Sequence, residues 1–144
     1  MQEGRVYSKE EIESLNKKLK EASLRKLMDM NITSLEWGRS EMTMDVKDTY
    51  LNVRGTCHGG VIAAFADTVM GSALYSTGAA ASATIEMNIN FLEPVMAGQV
   101  LTGRGEVLRK GKTTAIIRAD LFVGEIMVAA ARGTYSVLEP NKQK

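Results

Sequence analysis

Asp67 is an acidic side chain inside a long apolar stretch, and its chemistry needs explaining. It is the only charged residue between Arg54 and Glu86. If the stretch from Gly59 to Tyr75 forms a helix, apolar side chains occur on every face of that helix. A helix of that kind is normally buried. Burial of an unpaired carboxylate is costly, so the surroundings must either compensate Asp67 or use it in a reaction.

The sequence His58-Gly59-Gly60 stands at the start of the same predicted helix. First-turn N–H groups have no partner within a helix, and the helix dipole adds partial positive charge there. Because glycine lacks a Cβ, another group can approach its backbone closely. This combination suits a developing oxyanion, such as the carbonyl oxygen of an ester or thioester under attack. A tight loop-to-helix turn is the simpler alternative, and His58, the only histidine, could cap the helix, orient the loop or donate to a carbonyl.

The spacing of Gly59 and Asp67 predicts a site shared between two copies of the chain. They are eight residues apart, which is about 12 Å along a continuous helix. A base or nucleophile must come within about 3 Å of the reacting group. A two-fold dimer with antiparallel helices would bring Asp67 of one copy near Gly59 of the other. The residues three and four positions from Asp67 are mostly small, which favours room for a substrate: they are Ala63, Ala64, Met70 and Gly71. The alternative is a structural acid that accepts a hydrogen bond or pairs with an arginine.

Composition narrows the functional classes. The chain has 144 residues and a formal net charge of +1, so its net charge does not favour binding to nucleic acid or to an acidic membrane. The longest uninterrupted apolar run, Val61 to Ala66, is too short to span a bilayer. One histidine and one cysteine cannot supply the usual metal-ligand cluster, and Cys57 is interpreted as a small buried apolar residue. We therefore expect a cytoplasmic protein without a metal.

The N-terminal third predicts a helix and a hairpin. Ser8 and Glu11 have the spacing of a capping box, and an apolar stripe follows to Met28, so an amphipathic helix is expected at 9–28. Two short strands are expected at 32–37 and 41–46, with the turn at 38–40. Turn-forming residues indicate a loop at 48–57.

After Gly78 the spacing of apolar residues changes from the helical period to a period of two residues. Ile85, Met87, Ile89 and Phe91 alternate with Thr84, Glu86, Asn88 and Asn90, which is typical of a half-buried strand. Three more strands joined by short connections are expected at 100–108, 113–123 and 126–137. One apolar helix followed by four strands predicts an α+β fold with a single antiparallel sheet curled around the helix. The expected divisions are an N-terminal helix at 1–30, the main domain at 31–139 and a tail at 140–144.

On these residues the sequence resembles the hotdog-fold acyl-CoA thioesterases of the PaaI-like, phenylacetate-degradation branch. The similarity runs from about Ile32 to Leu138, roughly three quarters of the chain. The residues that carry it are Asn52, Gly55 to Gly60, Ala66 to Thr68, Thr84 to Leu92, Pro94 and Gly111-Lys112. The His-Gly-Gly sequence with an aspartate at this distance is the most specific part.

The resemblance implies hydrolysis of an acyl- or aryl-acyl-CoA thioester at a dimer interface. Asp67 would activate water or attack the thioester, and the Gly59 backbone of the partner subunit would stabilise the oxyanion. Asn52 and His58 would position the thioester, Gly60 would border the substrate, and the Thr84 hydroxyl would orient the water or the carboxylate. The basic hairpin tip would contact the phosphates of coenzyme A through Arg109, Lys110 and Lys112. The fold would dimerise edge to edge and pair into a dimer of dimers, with coenzyme A present only as part of the substrate.

Two alternatives stay open. A non-catalytic hotdog module could bind acyl-CoA as a sensor, although a sensor has no need of Asp67 as an activated acid. An enoyl-CoA hydratase on the same fold would need an acid–base pair around a double bond, and the sole histidine adjoins the glycine turn.

Overall fold

The computed structural model describes residues 3–21 and 23–138, and the expected tail at 140–144 lies outside them. Within this part of the chain, the strands form one six-stranded antiparallel sheet in the order β1-β2-β4-β5-β6-β3. The helices are α1 (Lys9–Leu19), α2 (Leu24–Leu27) and α3 (Gly59–Tyr75), with a 3-10 turn at Asp48–Tyr50. The strands are β1 (Asn31–Glu36), β2 (Arg39–Asp45), β3 (Ala81–Phe91), β4 (Val100–Lys110), β5 (Thr114–Val123) and β6 (Ile126–Leu138).

The apolar helix α3 forms the centre of the core, as expected from its sequence. It has the predicted bounds, and it contacts all six strands. A Cβ on Gly103 of β4 would lie 2.5 Å from a side-chain carbon of Val69 and 3.0 Å from the ring of Phe65. Because glycine stands there, α3 lies directly on the backbone of β4. The predicted α+β fold, with an antiparallel sheet curled around one long helix, is confirmed.

The expectation that α3 is buried on all sides is wrong. Ile62, Phe65 and Val69 are buried, whereas Asp67 and its neighbours on one face are only partly covered. The members of this open face are Ala63, Ala64, Asp67, Thr68, Gly71 and Tyr75. The sheet covers only one side of the helix. Strand β3 stands at one end of the sheet and, among the described residues, pairs with a neighbouring strand on one edge alone. An apolar helix with an uncovered face is therefore present in a single copy of the chain.

The N-terminal helix is shorter than the sequence predicts. The capping box is present, with Ser8 Oγ accepting from the Glu11 N–H and the Glu11 carboxylate accepting from the Ser8 N–H. However, α1 ends at Leu19, whose carbonyl accepts a hydrogen bond of 2.6 Å from the Ser23 hydroxyl. Lys20 turns away to Asp29, with 2.7 Å between Nζ and Oδ1. The predicted single helix at 9–28 is replaced by α1 and the short α2.

The first hairpin turns earlier than expected. The turn is at Trp37 and Gly38, where Gly38 has a φ of +75°, and Arg39 already belongs to β2. The predicted turn at 38–40 is therefore wrong, because Gly38 accepts the left-handed backbone at the second position of the observed turn.

Within the described residues, no helix is both long and apolar enough to cross a bilayer.

Strand β3 departs from regular alternation at one point. Its register with β6 shifts between Thr84 and Glu86, which places Ile85 in a β-bulge. Thr84 lies opposite the buried Tyr135, whereas Glu86 lies opposite Thr134 on the outer face. The sequence alternation placed Thr84 with Glu86, and this is corrected: the bulge turns Thr84 inward toward α3.

Candidate active site

The Asp67 carboxylate is held by two hydroxyl groups from the sheet. Its Oδ1 accepts from Thr84 Oγ1 and from the Tyr135 hydroxyl, each at 2.6 Å. No hydrogen bond reaches Oδ2 within residues 3–21 and 23–138, nor does any arginine there pair with Asp67. The carboxylate is thus fixed through one oxygen, while the other remains available on the open face of α3.

Tyr135 is a candidate site residue that the sequence did not predict. Its side chain is buried, and burial first, then the hydrogen bond and charge of Asp67, raise the pKa of its hydroxyl well above the usual value. Tyr135 therefore stays protonated and donates. A signal was present, since a tyrosine on the buried face of a strand needs a partner for its hydroxyl.

Gly133 makes room for the tyrosine ring. A Cβ at this position would lie 2.9 Å from Tyr135 Cε2 and 3.1 Å from the backbone oxygen of Glu86. The two residues are on the same face of β6, because side chains alternate along a strand. The glycine thus lets the ring lie flat enough for its hydroxyl to reach Asp67.

The other candidate groups gather at the N-terminus of α3. His58 caps the helix, with its Nδ1 accepting from the Gly60 N–H at 2.8 Å. In neutral His58 the proton is then assigned to Nε2, which makes that nitrogen a donor. The Gly60 N–H is occupied by this cap. The Gly59 N–H has no hydrogen-bond partner in the described part of the chain.

Asn52 organises the loop that precedes the helix. Its Oδ1 accepts from the N–H groups of Arg54 (2.9 Å) and Thr56 (3.3 Å), and its Nδ2 donates to Thr56 Oγ1 at 2.9 Å. The loop borders a surface pocket of about 300 Å³ that also includes Gly59 and the exposed ring of Phe91. Asn52 and Gly59 therefore lie at the same pocket.

The structure separates this pocket from the Asp67 carboxylate within one copy. Helix α3 is continuous from Gly59 to Tyr75, so eight residues of rise place the two groups about 12 Å apart along the axis. The candidate residues consequently form two groups, one with Asn52, His58, Gly59 and Gly60, the other with Asp67, Thr84 and Tyr135.

The basic residues Arg109, Lys110 and Lys112 lie at the tip of the β4–β5 hairpin. Lys110 pairs in register with Ala115, which is followed across the sheet by Tyr135 and then Thr84. Three strand spacings correspond to about 14 Å. The tip is therefore on the Asp67 side of the protomer, away from the Gly59 pocket.

Neither a metal-ligating cluster nor an exposed thiol is present among the described residues. No group of three or more histidine, cysteine, aspartate or glutamate side chains there could hold a metal ion. Cys57 is buried, and burial raises the pKa of its thiol above the usual value, which disfavours the thiolate.

Comparison with known proteins decides the family. Residues 54–130 match the model of the thioesterase superfamily. The chain belongs to the thioesterase superfamily. Within it this protein is a PaaI-like hotdog thioesterase, which makes it a thioester hydrolase by family.

Relatives and solved structures agree with this placement. The acyl-coenzyme A thioesterase PaaI of Escherichia coli is 37% identical over 96 residues, covering 67% of this chain and 68% of the relative. Human acyl-coenzyme A thioesterase 13 is 32% identical over 98 residues, covering 67% of this chain and 70% of the relative.

The structure of E. coli PaaI superimposes with a TM-score of 0.81 at 28% identity, covering 88% of this thioesterase and 91% of that chain. A hypothetical thioesterase of Streptococcus pneumoniae, solved with coenzyme A, superimposes with a TM-score of 0.73 at 29% identity, covering 76% and 89%.

Proposed function

We propose that this thioesterase hydrolyses acyl-CoA to a free acid and coenzyme A, with Asp67 as the reacting carboxylate. The observation that carries the proposal is the Asp67 side chain on the open face of α3, with Oδ1 held by Thr84 and Tyr135. The names of the Escherichia coli and human relatives support acyl-CoA as the substrate, as does the coenzyme A in the Streptococcus pneumoniae structure.

The reaction needs a base or nucleophile and a donor for the oxyanion. As a base, Asp67 takes a proton from water while the water oxygen attacks the thioester carbon; as a nucleophile, it attacks that carbon and water then hydrolyses the anhydride. In either case the C–S bond breaks, and the coenzyme A thiolate leaves and takes up a proton. The N–H of Gly59 stabilises the negative charge on the carbonyl oxygen, with Asn52 and His58 positioning the thioester.

The active unit is proposed to be a dimer formed along β3. One edge of β3 has no partner strand in the described chain, and its side chains include the exposed Ile85 (58%) and Phe91 (52%). Exposed apolar surface beside a free strand edge favours association. Pairing two copies about a two-fold axis would place Asp67 of one near Gly59 of the other, and a dimer of dimers would use a further surface.

The basic hairpin tip is proposed to bind the phosphates of coenzyme A through Arg109, Lys110 and Lys112. Arg109 and Lys112 are exposed at the tip. Positive side chains suit phosphate oxygens.

Turnover of a panel of alkyl- and aryl-acyl-CoA esters tests the activity, with free thiol release as the readout. We expect the wild-type protein to turn over and kcat to fall about 10²-fold or more in Asp67→Asn, because an amide can neither accept the proton nor attack the thioester. Asp67→Asn should keep the wild-type circular dichroism spectrum. Binding of acyl-CoA without thiol release would instead indicate a sensor.

Mixing two inactive variants tests the shared site. Asp67→Asn lacks the acid, and Gly59→Pro lacks the N–H donor while proline remains acceptable at the first helical position. If the site is shared, a mixed dimer contains one intact centre, and random mixing restores about a quarter of wild-type activity. If both groups acted within one copy, the mixture would stay inactive.

A further inference from the structure

A second pocket borders α3 beyond the Asp67 carboxylate. Its volume is about 220 Å³, and its wall includes Arg25, Gly71, Ser72, Tyr75 and Ser82. It lies between the short helix α2, the second half of α3 and the beginning of β3. The mechanism proposed above assigns no role to this pocket.

Arg25 is unusual because part of its guanidinium is buried without a partner. Its Nη2 donates to Ser72 Oγ at 2.6 Å, whereas Nη1 is buried and has no hydrogen bond in the described part of the chain. Burial lowers the pKa of Arg25, and no carboxylate of residues 3–21 or 23–138 forms an ion pair with it. A buried, unpaired donor on a cation is costly. An anionic oxygen would satisfy this donor and the positive charge together.

The position of Arg25 is fixed by the fold. Its carbonyl oxygen accepts from the Met30 N–H at 2.9 Å, and the Tyr50 hydroxyl donates to the Leu27 carbonyl at 3.2 Å. Met28 is buried directly after the helix. These contacts hold α2 against the domain, so the guanidinium is presented at the pocket by an anchored backbone.

Two of the elements around Asp67, α3 and β3, also border this pocket. On α3, Gly71 lies one turn after Asp67 on the same open face, about 6 Å along the axis. On β3, Ser82 lies opposite Val137 and therefore shares the inward face with Thr84. A Cβ at Gly71 would meet no atom within 4 Å, so the space beside the helix is open at Gly71, which borders the same pocket as Arg25.

We propose that Arg25 is a specificity-determining residue that binds a carboxylate at the far end of the acyl group. The inference rests on the proposed acyl-CoA hydrolysis, since the thioester end must lie at Asp67. An extended chain advances about 1.2 Å per bond, so roughly five bonds cover the rise between Asp67 and Gly71. Substrates of this class are short ω-carboxyacyl thioesters.

Adipyl-CoA and hexanoyl-CoA form the matched pair that tests the proposal. Their acyl chains have equal length and end in a carboxylate and a methyl group. We expect wild-type kcat/KM to favour adipyl-CoA by about tenfold or more, as charge-assisted hydrogen bonds allow. Arg25→Met should lower the adipyl-to-hexanoyl ratio by at least about tenfold.

Lys26→Met is the control, because it removes an exposed positive charge from the same helix and should leave the ratio unchanged. A wild-type protein without preference for adipyl-CoA would overturn the proposal. So would an Arg25→Met variant that loses both activities equally, which is the signature of a structural role.

Gly71 provides an independent test of the route of the acyl chain. Gly71→Leu should fill the open space and lower kcat/KM for adipyl-CoA relative to acetyl-CoA, and by more than Gly71→Ala does. Unchanged use of adipyl-CoA by Gly71→Leu would show that the acyl chain does not pass over this face, and would overturn the assignment.

Failure of the proposed function is separable from failure of this inference. If wild-type protein releases no thiol from acetyl-, hexanoyl-, phenylacetyl- or adipyl-CoA, acyl-CoA hydrolysis is wrong. Calorimetric titration with adipyl-CoA and hexanoyl-CoA then decides the role of Arg25. Tighter binding of adipyl-CoA that Arg25→Met abolishes supports the carboxylate site, and equal binding of the two contradicts it.

Discussion

The two polar centres on α3 are built from different kinds of structure. At the N-terminus, the side chains of Asn52 and His58 bond to groups no more than four residues away. At Asp67, the partners come from β3 and β6, 17 and 68 residues along the chain. The backbone donor site is thus a local loop structure, whereas the acid depends on strand register and on the packing of the sheet against the helix.

The difference indicates which changes each centre tolerates. The side-chain contacts of the loop depend on nearby residues, although its backbone is also bonded to Val95 through the Cys57 N–H. The key donor of the loop is a backbone N–H that most side-chain substitutions leave in place. The acid can be misplaced by any change that shifts β6 or β3 against α3. Its orientation is therefore exposed to substitutions throughout the sheet.

The largest effect is expected from removing the backbone donor at the loop centre. Gly59→Pro deletes the N–H, and His58 already has an extended backbone (φ −61°, ψ 132°) that accepts a following proline. We expect kcat to fall about 10²- to 10³-fold, as for loss of an oxyanion donor.

Gly59→Ala is the matched control for that change. It adds the same Cβ near the Phe91 ring, 3.3 Å from Cζ, but keeps the N–H. Steady-state kinetics of both variants separates donor from steric effects. Equal losses in the two would remove Gly59 from the mechanism and leave only its packing.

A smaller effect is expected from loosening the acid. Tyr135→Phe removes one of the two hydroxyl donors to Asp67, and we expect kcat to fall about tenfold with KM nearly unchanged, as for loss of a hydrogen bond to a charged group. Thr84→Val should act similarly, while Thr84→Ser should retain activity. Full activity in both Tyr135→Phe and Thr84→Val would contradict the role of the sheet in orienting Asp67.

The same tyrosine predicts a difference in alkaline stability. The pKa of Tyr135 is raised above 10.0 in the folded protein, so the unfolded chain loses this proton first as the pH rises. Its stabilising contribution is complete below about pH 10 and decreases above it. Raising the pH from about 9 to 11 should therefore lower the free energy of unfolding, measured with urea, more in wild-type protein than in Tyr135→Phe. Parallel pH profiles would mean that the hydroxyl has an ordinary environment.

The smallest effect is expected in the loop. Thr56→Val removes the acceptor of the Asn52 amide, but Oδ1 of Asn52 keeps its bonds to the N–H groups of Arg54 and Thr56. We expect a loss of about 1 kcal/mol or less in the free energy of unfolding, measured by denaturant titration, with Thr56→Ser close to wild type. A loss of several kcal/mol would show that the loop is less local than the contacts indicate.

The parts of the fold that were predictable from sequence are those governed by local pattern. The apolar helix from Gly59 to Tyr75 and the hairpin-connected strands β4 to β6 follow from periodicity and turn residues. The position of Asn52 and Gly59 at one pocket also follows, because these residues are close in sequence.

The parts that were not predictable depend on tertiary pairing. Tyr135 meets Asp67 only because β6 pairs with β3 in one particular register, and no pattern near either residue encodes that distance. The end of α1 at Leu19 depends on Ser23 and on the bond from Lys20 to Asp29. The apolar stripe of the sequence continues past this point and predicts a longer helix, yet Leu27 is 72% exposed.

The bulge at Ile85 makes the length of β3 as important as its composition. Deletion of Ile85 would remove the extra residue, so Thr84 would directly precede Glu86 and, by strict alternation, would still lie opposite Tyr135. If Ile85 stayed but joined the regular ladder, Thr84 would share the outer face with Glu86, and the aspartate would lose a hydroxyl partner although every residue around it kept its identity. A one-residue gap at position 85 is therefore compatible with the contact to Asp67, and the positions of gaps in β3 carry functional information.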